Sequence, residues 1–128
     1  MRSHPVLSRA IVSTPLVTRW IERYQAFAET YGRLDHALTT ELGISLPQTH
    51  ALIFLDAHGP AGNGEVGHFV RRQAQSMTGL MDRCIARKWV AKKAHPKDRR
   101  VVVLSITAKG RDMLPRALAV MERVLGES

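Results

Sequence analysis

Leu16, Trp20, Tyr24, Phe27, Tyr31, Leu34, Leu38 and Leu42 succeed one another at steps of three or four residues. Large apolar side chains at that spacing lie on one stripe of an α-helix. Ahead of the run, Thr14 is a residue type that caps helices, and Pro15 suits the first helical position. Gly43 behind it is a natural stop. The spacing predicts one helix of about 28 residues, ~42 Å long. A stripe of that length exceeds what a compact domain of 128 residues covers by itself, so a second chain is the expected surface for the remainder.

The rest of the chain is read relative to that helix. Residues 1–13 show no clear periodicity and read as an arm. Ile44-Ser45-Leu46-Pro47 opens a second helix filled by Ala51, Leu52, Ile53, Leu55 and Ala57 and ended by Gly59-Pro60. Glu65–Arg72 reads as a short third helix with Val66, Phe69 and Val70 inward, weakened by Gly67 at a cost of about 1 kcal/mol. Gln73–Arg87 is a fourth helix, with Met77, Leu80, Met81, Cys84 and Ile85 on its apolar face. The period then changes. Trp89-Val90-Ala91 and Val101–Ile106 read as strands, joined by a basic stretch over Lys93–Arg100 too long for a tight turn. Thr107 caps a last helix to about Leu125, which Pro115 should kink near Arg111.

Composition matters here chiefly through where the charge falls. The chain carries a formal +8. Residues 71–100 hold ten basic side chains against two acids, so the whole excess sits in one segment flanked by nearly neutral ones. A localised basic segment implies a polyanionic partner more strongly than overall basicity does, although a solvated charged face is the plain alternative. Within that segment, the adjacent third and fourth helices have the form of a helix-turn-helix. The fourth presents Gln73, Gln75, Ser76, Thr78 and Gly79 near its start, the small polar groups that base edges accept at close approach. Met77 and Arg83 complete its candidate DNA-contacting residues. The hairpin adds Lys97, Asp98, Arg99 and Arg100 at its tip, where arginine suits a narrow minor groove. Arg71, Arg72, Lys92 and Lys93 are candidate backbone contacts.

Leu80-Met81-Asp82-Arg83-Cys84-Ile85-Ala86-Arg87-Lys88-Trp89-Val90, then Lys97-Asp98-Arg99-Arg100, then Leu104-Ser105-Ile106-Thr107-Ala108-Lys109-Gly110 together resemble the MarR family of transcriptional regulators. Leu46-Pro47-Gln48 and His58-Gly59-Pro60 add to the likeness, which spans roughly residues 14–125. The resemblance implies a mainly α (α+β) fold: a single winged helix-turn-helix domain over 1–128. Its DNA-binding lobe would run over 44–106, and its dimerisation helices over 1–43 and 107–128. It further implies a homodimer on a pseudo-palindromic operator in double-stranded DNA, most often as a repressor. Arg100 would then be the minor-groove arginine and Asp98 the carboxylate that orients it. Trp20, Tyr24, Tyr31 and His50 can line a pocket for a small aromatic or lipophilic effector, or be simply core.

Two departures from the family pattern carry expectations. Lys88 stands where the family has a glycine, so a left-handed backbone there would cost about 1 kcal/mol. Gly67-His68 replaces a Leu-Ala type of pattern, which should loosen the third helix.

Other functions find little support in the residues. The single cysteine, Cys84, excludes an intrachain disulfide and reads as buried and unreactive. Six histidines show no metal-ligand spacing. No P-loop, dinucleotide, nucleophile-elbow or zinc-hydrolase pattern occurs, so the chain reads as a non-enzyme without cofactor or metal. No apolar run reaches the length of a membrane span, and the start lacks a secretory pattern, so the expected place is the cytoplasm. The rival reading is a winged-helix protein-interaction module, which would tolerate a neutral wing; this wing is basic.

Overall fold

The computed structural model describes residues 14–127 of the chain; the arm expected over 1–13 lies outside them. The elements are helices α1 (Pro15–Leu42), α2 (Leu46–His58), α3 (Asn63–Val70) and α4 (Ala74–Ala86), strands β1 (Val90–His95) and β2 (Asp98–Ile106), and helix α5 (Ala108–Gly126). The fold is thus mainly helical with one two-stranded antiparallel sheet.

α1 forms where the apolar stripe requires it, and Gly43 closes it in the left-handed conformation at φ 70°. Thr14 occupies the capping position, but its hydroxyl makes no cap bond, contrary to expectation. Only the C-terminal part of the stripe enters the core of this chain, where Leu34 and Leu38 are buried. Farther along, Trp20 is 61% and Phe27 66% exposed, and Leu16 and Tyr24 are exposed with them. α5 packs against α1. Arg33 donates to the Val124 carbonyl at 3.2 Å, and Arg123 forms a two-pronged ion pair with Glu41. α5 starts at Thr107, whose hydroxyl accepts from the Gly110 N–H at 3.0 Å, and it continues through Pro115 without interruption.

α2 begins with a reciprocal cap. The Ser45 hydroxyl accepts from the Gln48 N–H at 3.1 Å, and the Gln48 side chain accepts from the Ser45 N–H at 2.8 Å. The Asp35 carboxylate accepts the Leu46 N–H at 2.7 Å, joining the start of α2 to α1. Ala51, Leu52 and Leu55 are buried with Ile44, Leu46, Val66, Met77, Met81, Trp89 and Leu104, in a core shared by every element. Ala57, expected inside, is exposed; two residues beyond Leu55, it lies on the opposite side of the helix.

Two expectations about the segment from α3 to the hairpin are corrected. α3 starts at Asn63 rather than Glu65, and Phe69 is 47% exposed instead of inward. The buried side of α3 is centred on Val66, Gly67 and Val70, which leaves Phe69 roughly 110° round the helix from it. The hairpin has no long loop. β1 runs to His95 and β2 starts at Asp98, so Pro96-Lys97 alone connects them, with a register shift at Ala94/His95. Lys92, Lys93 and Ala94 are all exposed, so neither face of that part of the strand is buried. It lacks the alternation by which strands are recognised in sequence.

Candidate nucleic-acid interface

The turn between α3 and α4 is set by one glycine. A Cβ on Gly67 would stand 2.6 Å from the Arg72 carbonyl oxygen and 2.9 Å from Met77 Cγ. Gly67 therefore does more than weaken α3: its missing side chain is what allows the turn and α4 to pack so closely. The Arg72 N–H donates to the Gly67 carbonyl at 2.8 Å and the Arg71 N–H to that of His68 at 3.3 Å, a Schellman closure. Arg71 takes the left-handed position at φ 68°.

α4 ends the same way. The Lys88 N–H donates to the Ile85 carbonyl at 2.9 Å and the Trp89 N–H to that of Cys84 at 3.0 Å, with Lys88 at φ 64°. The glycine-like conformation expected at Lys88 is thus present. Both α3 and α4 thus end on a basic residue where glycine is easiest.

α4 divides its residues cleanly. Met77, Leu80, Met81 and Cys84 are buried, while Gln73, Gln75, Ser76, Thr78, Gly79 and Arg83 are exposed. Gln73 is the N-cap residue, with no side-chain cap bond. Met77 is the correction among the candidate contacts: fully buried beneath Gly67, it supports the helix and does not face a duplex. Asn63, at the start of α3, donates its amide to the Thr78 hydroxyl at 3.4 Å. No pattern in the sequence announced that bond. Burial pushes the Cys84 thiol up to about 12, as expected of an unreactive core cysteine.

The wing is clasped at its base and ordered at its tip. Ala61 and Leu104 exchange backbone hydrogen bonds of 2.9 and 2.8 Å, tying β2 to the segment before α3. At the tip, the Lys97 N–H donates to His95 Nδ1 at 3.0 Å. Asp98 Oδ1 accepts from the Arg100 N–H at 3.0 Å and from its Nε at 3.1 Å, and Oδ2 accepts from a terminal guanidinium nitrogen at 3.3 Å. The Arg100 side chain is still 91% exposed. The Arg100 side chain, and then its backbone N–H, hold the Asp98 carboxyl below its ordinary range. Lys92, Lys93, Lys97 and Arg99 are exposed on the same hairpin, and Arg71 and Arg72 in the turn.

The four candidate effector residues are spread over α1 and α2, with the Trp20 and Tyr24 rings 6.4 Å apart. Trp20 and Tyr24 stand on the exposed part of α1, Tyr31 packs partly against the core, and His50 is half-buried on α2, where burial lowers its pKa. A cavity of about 390 Å³ where α1, α2 and α4 meet is lined by none of them, but by residues that include Thr39, Gln48, Arg83 and Arg87. Arg87, given no contact in the sequence reading, donates to the Gly43 carbonyl at 3.3 Å and lies 4.5 Å above the Trp89 ring. Gly43 is 44 residues away along the chain, beyond the reach of any local pattern, whereas Trp89 is a near neighbour in sequence. Among the described residues, no cluster of His, Cys, Asp or Glu could hold a metal ion. No helix among them is long and apolar enough to cross a membrane.

A short helix, a tight turn, a second helix with an exposed polar face and a hairpin clasped at its base define a winged helix-turn-helix protein. Residues 44–102 match the model of the MarR family. Solved structures agree on the fold. The transcriptional regulator BldR from Sulfolobus solfataricus superposes with a TM-score of 0.81 at 20% identity, over 87% of this chain and 79% of its own. BpsR from Bordetella bronchiseptica, solved in connection with regulation of its DNA binding by 6-hydroxynicotinic acid, gives 0.76 at 18% identity, over 92% and 81%. A cysteine-to-serine mutant of MarR from E. coli, complexed with operator DNA, gives 0.75 at 18%, over 88% and 79%. Among curated protein sequences, none matches the chain.

Proposed function

We propose that this chain is a transcriptional regulator that binds a pseudo-palindromic operator in double-stranded DNA as a homodimer and represses from it. The observation that carries the reading is the Asp98–Arg100 clamp, which presents a guanidinium to solvent in a fixed pose at the tip of a basic hairpin. An arginine held in advance loses less entropy when it enters a narrow minor groove. α4 supplies the groove-reading partner: Gln73, Gln75, Ser76, Thr78, Gly79 and Arg83 are exposed along it. Arg71, Arg72, Lys92, Lys93, Lys97 and Arg99 serve the phosphates around them. The operator-bound relative shares this fold and supports the same docking here.

The exposed stripe of α1, with α5 beside it, is the surface through which two copies pair, and pairing sets two recognition helices at half-site spacing. Regulation by a small aromatic or lipophilic effector follows the BpsR precedent. The role is regulatory rather than catalytic, and its setting is the cytoplasm.

Salt dependence tests the reading. Six to ten neutralised phosphates per dimer give a log–log slope of affinity against salt of about −5 to −9. Fluorescence anisotropy on a duplex from the DNA flanking its own gene should show that slope together with sequence preference. A slope near zero, or no duplex binding at low salt, would instead make the lobe a protein-interaction module.

A further inference from the structure

α2 and α3 flank an open surface recess of about 500 Å³, lined by Phe54, His58, Gly64, Glu65, His68 and Phe69. Phe54 and His58, one turn apart on α2, stack at 4.8 Å with 17° between their planes. Phe69 reaches over from α3 to 5.2 Å from Phe54 at 34°. The DNA-binding role gives Phe69, half-exposed, no task, and the core does not hold it. Its ring makes one wall of an aromatic recess.

The electrostatics of that recess run against those of the chain. No lysine or arginine lines it, although the chain carries 19 of them against 11 acids. The cavity beside α1 is lined by Arg83 and Arg87, and another by Arg71 and Arg72. Here the anionic lining is the Glu65 carboxylate, which lies 3.4 Å from His58 Nε2. Aromatic faces carry negative electrostatic potential, so rings beside a carboxylate attract cations and repel anions. The volume falls in the range of small-molecule sites. Among the described residues, no group of three or more His, Cys, Asp or Glu side chains is placed to hold a metal ion there.

We propose that this recess binds a small organic cation, an alkylated ammonium group bearing an apolar arm, with its head between the rings and Glu65. The site is separate from the duplex-facing residues and from the arginine-lined cavity. α3 forms one wall, and its opposite side packs on α4 through Gly67 and Met77, so an occupant bears on the recognition helix. That last consequence rests on the DNA-binding reading; the binding itself does not.

The full chain is titrated with benzyltrimethylammonium, with its uncharged carbon isostere neopentylbenzene, and with benzoate, following the aromatic NMR signals of Phe54 and Phe69. The cation is expected to bind about tenfold or more tightly than either control. Glu65→Gln and Phe69→Leu should each weaken it about fivefold, the second keeping apolar bulk while removing the ring. Circular dichroism verifies the fold of each variant, and the exposed Phe69 site keeps the test available if Glu65→Gln unfolds. Equal binding of the isostere, tighter binding of benzoate, no binding of the cation, or indifference to Phe69→Leu would overturn the proposal. The titration contains no DNA, so its failure leaves the regulator reading untouched, and a failed duplex assay leaves this one untouched.

Discussion

Asp98 and Arg100, two residues apart on β2, are joined by three hydrogen bonds, yet the arginine side chain stays almost wholly in solvent. An exposed ion pair of this kind contributes little to stability, because water and salt screen it and ordering two side chains costs entropy. Its effect is on direction: it fixes where the guanidinium points.

Arg100→Ala should therefore weaken operator binding by roughly 1–3 kcal/mol. Asp98→Ala should weaken it as well, although it removes a negative charge from a basic hairpin. The sign discriminates, since a carboxylate that only decorates a turn would improve binding when removed. Because the Asp98 carboxyl is held below its ordinary range, the clamp is complete above the usual carboxylate pKa and is lost only as pH falls through the lowered value. Anisotropy titrations of both variants at neutral pH decide the matter, and tighter binding by Asp98→Ala would refute the role given to the wing.

The exposed run of Leu16, Trp20, Tyr24 and Phe27 predicts association. Sedimentation at micromolar concentration should give twice the chain mass of 14.3 kDa. Phe27→Glu should shift the mass toward one chain, because it places a charge inside the apolar seam. A wild-type mass of a single chain at every concentration would refute pairing through α1.

Lys88 holds a left-handed backbone at the end of α4. Lys88→Gly should raise stability by about 0.5–1 kcal/mol, as strain relief exceeds the entropy lost from a more flexible unfolded chain. Gly67→Ala should act in the opposite sense, by about 1–3 kcal/mol, since its Cβ would press on backbone at Arg72. Urea unfolding measures both, and Lys88→Gly should also lose some DNA affinity by removing a charge.

Cys84 should resist alkylation in the folded protein at pH 8 and react once the chain is unfolded. Burial pushes its thiol up to about 12, so almost no thiolate exists at that pH and the sulfur is covered. Rapid labelling by iodoacetamide under native conditions, read by mass spectrometry, would contradict the core assignment.

The length of α1, the order of the helices and the basic segment could be read without coordinates because each depends on local spacing or on counting. A 3.6-residue stripe determines a helix whatever it packs against, and the stop at Gly43 is set by local backbone preference. The Asp98–Arg100 pairing was accessible through the family likeness, two residues apart in one motif. What failed in the sequence were judgements of facing and of strand extent. Met77 keeps its place on the apolar face of α4 and so cannot also be a contact; Phe69, expected inward, lines a recess. The exposed lysines of the hairpin show no alternation, so the sequence predicts a long loop, yet backbone pairing carries both strands to Pro96-Lys97. Gly67 read as a weakness until Arg72 and Met77 stood against it. In each case the deciding atoms belong to another element or another strand. Local sequence preferences fix periodicity and ends, whereas which side is inside, and what a missing Cβ permits, is decided only when the elements meet.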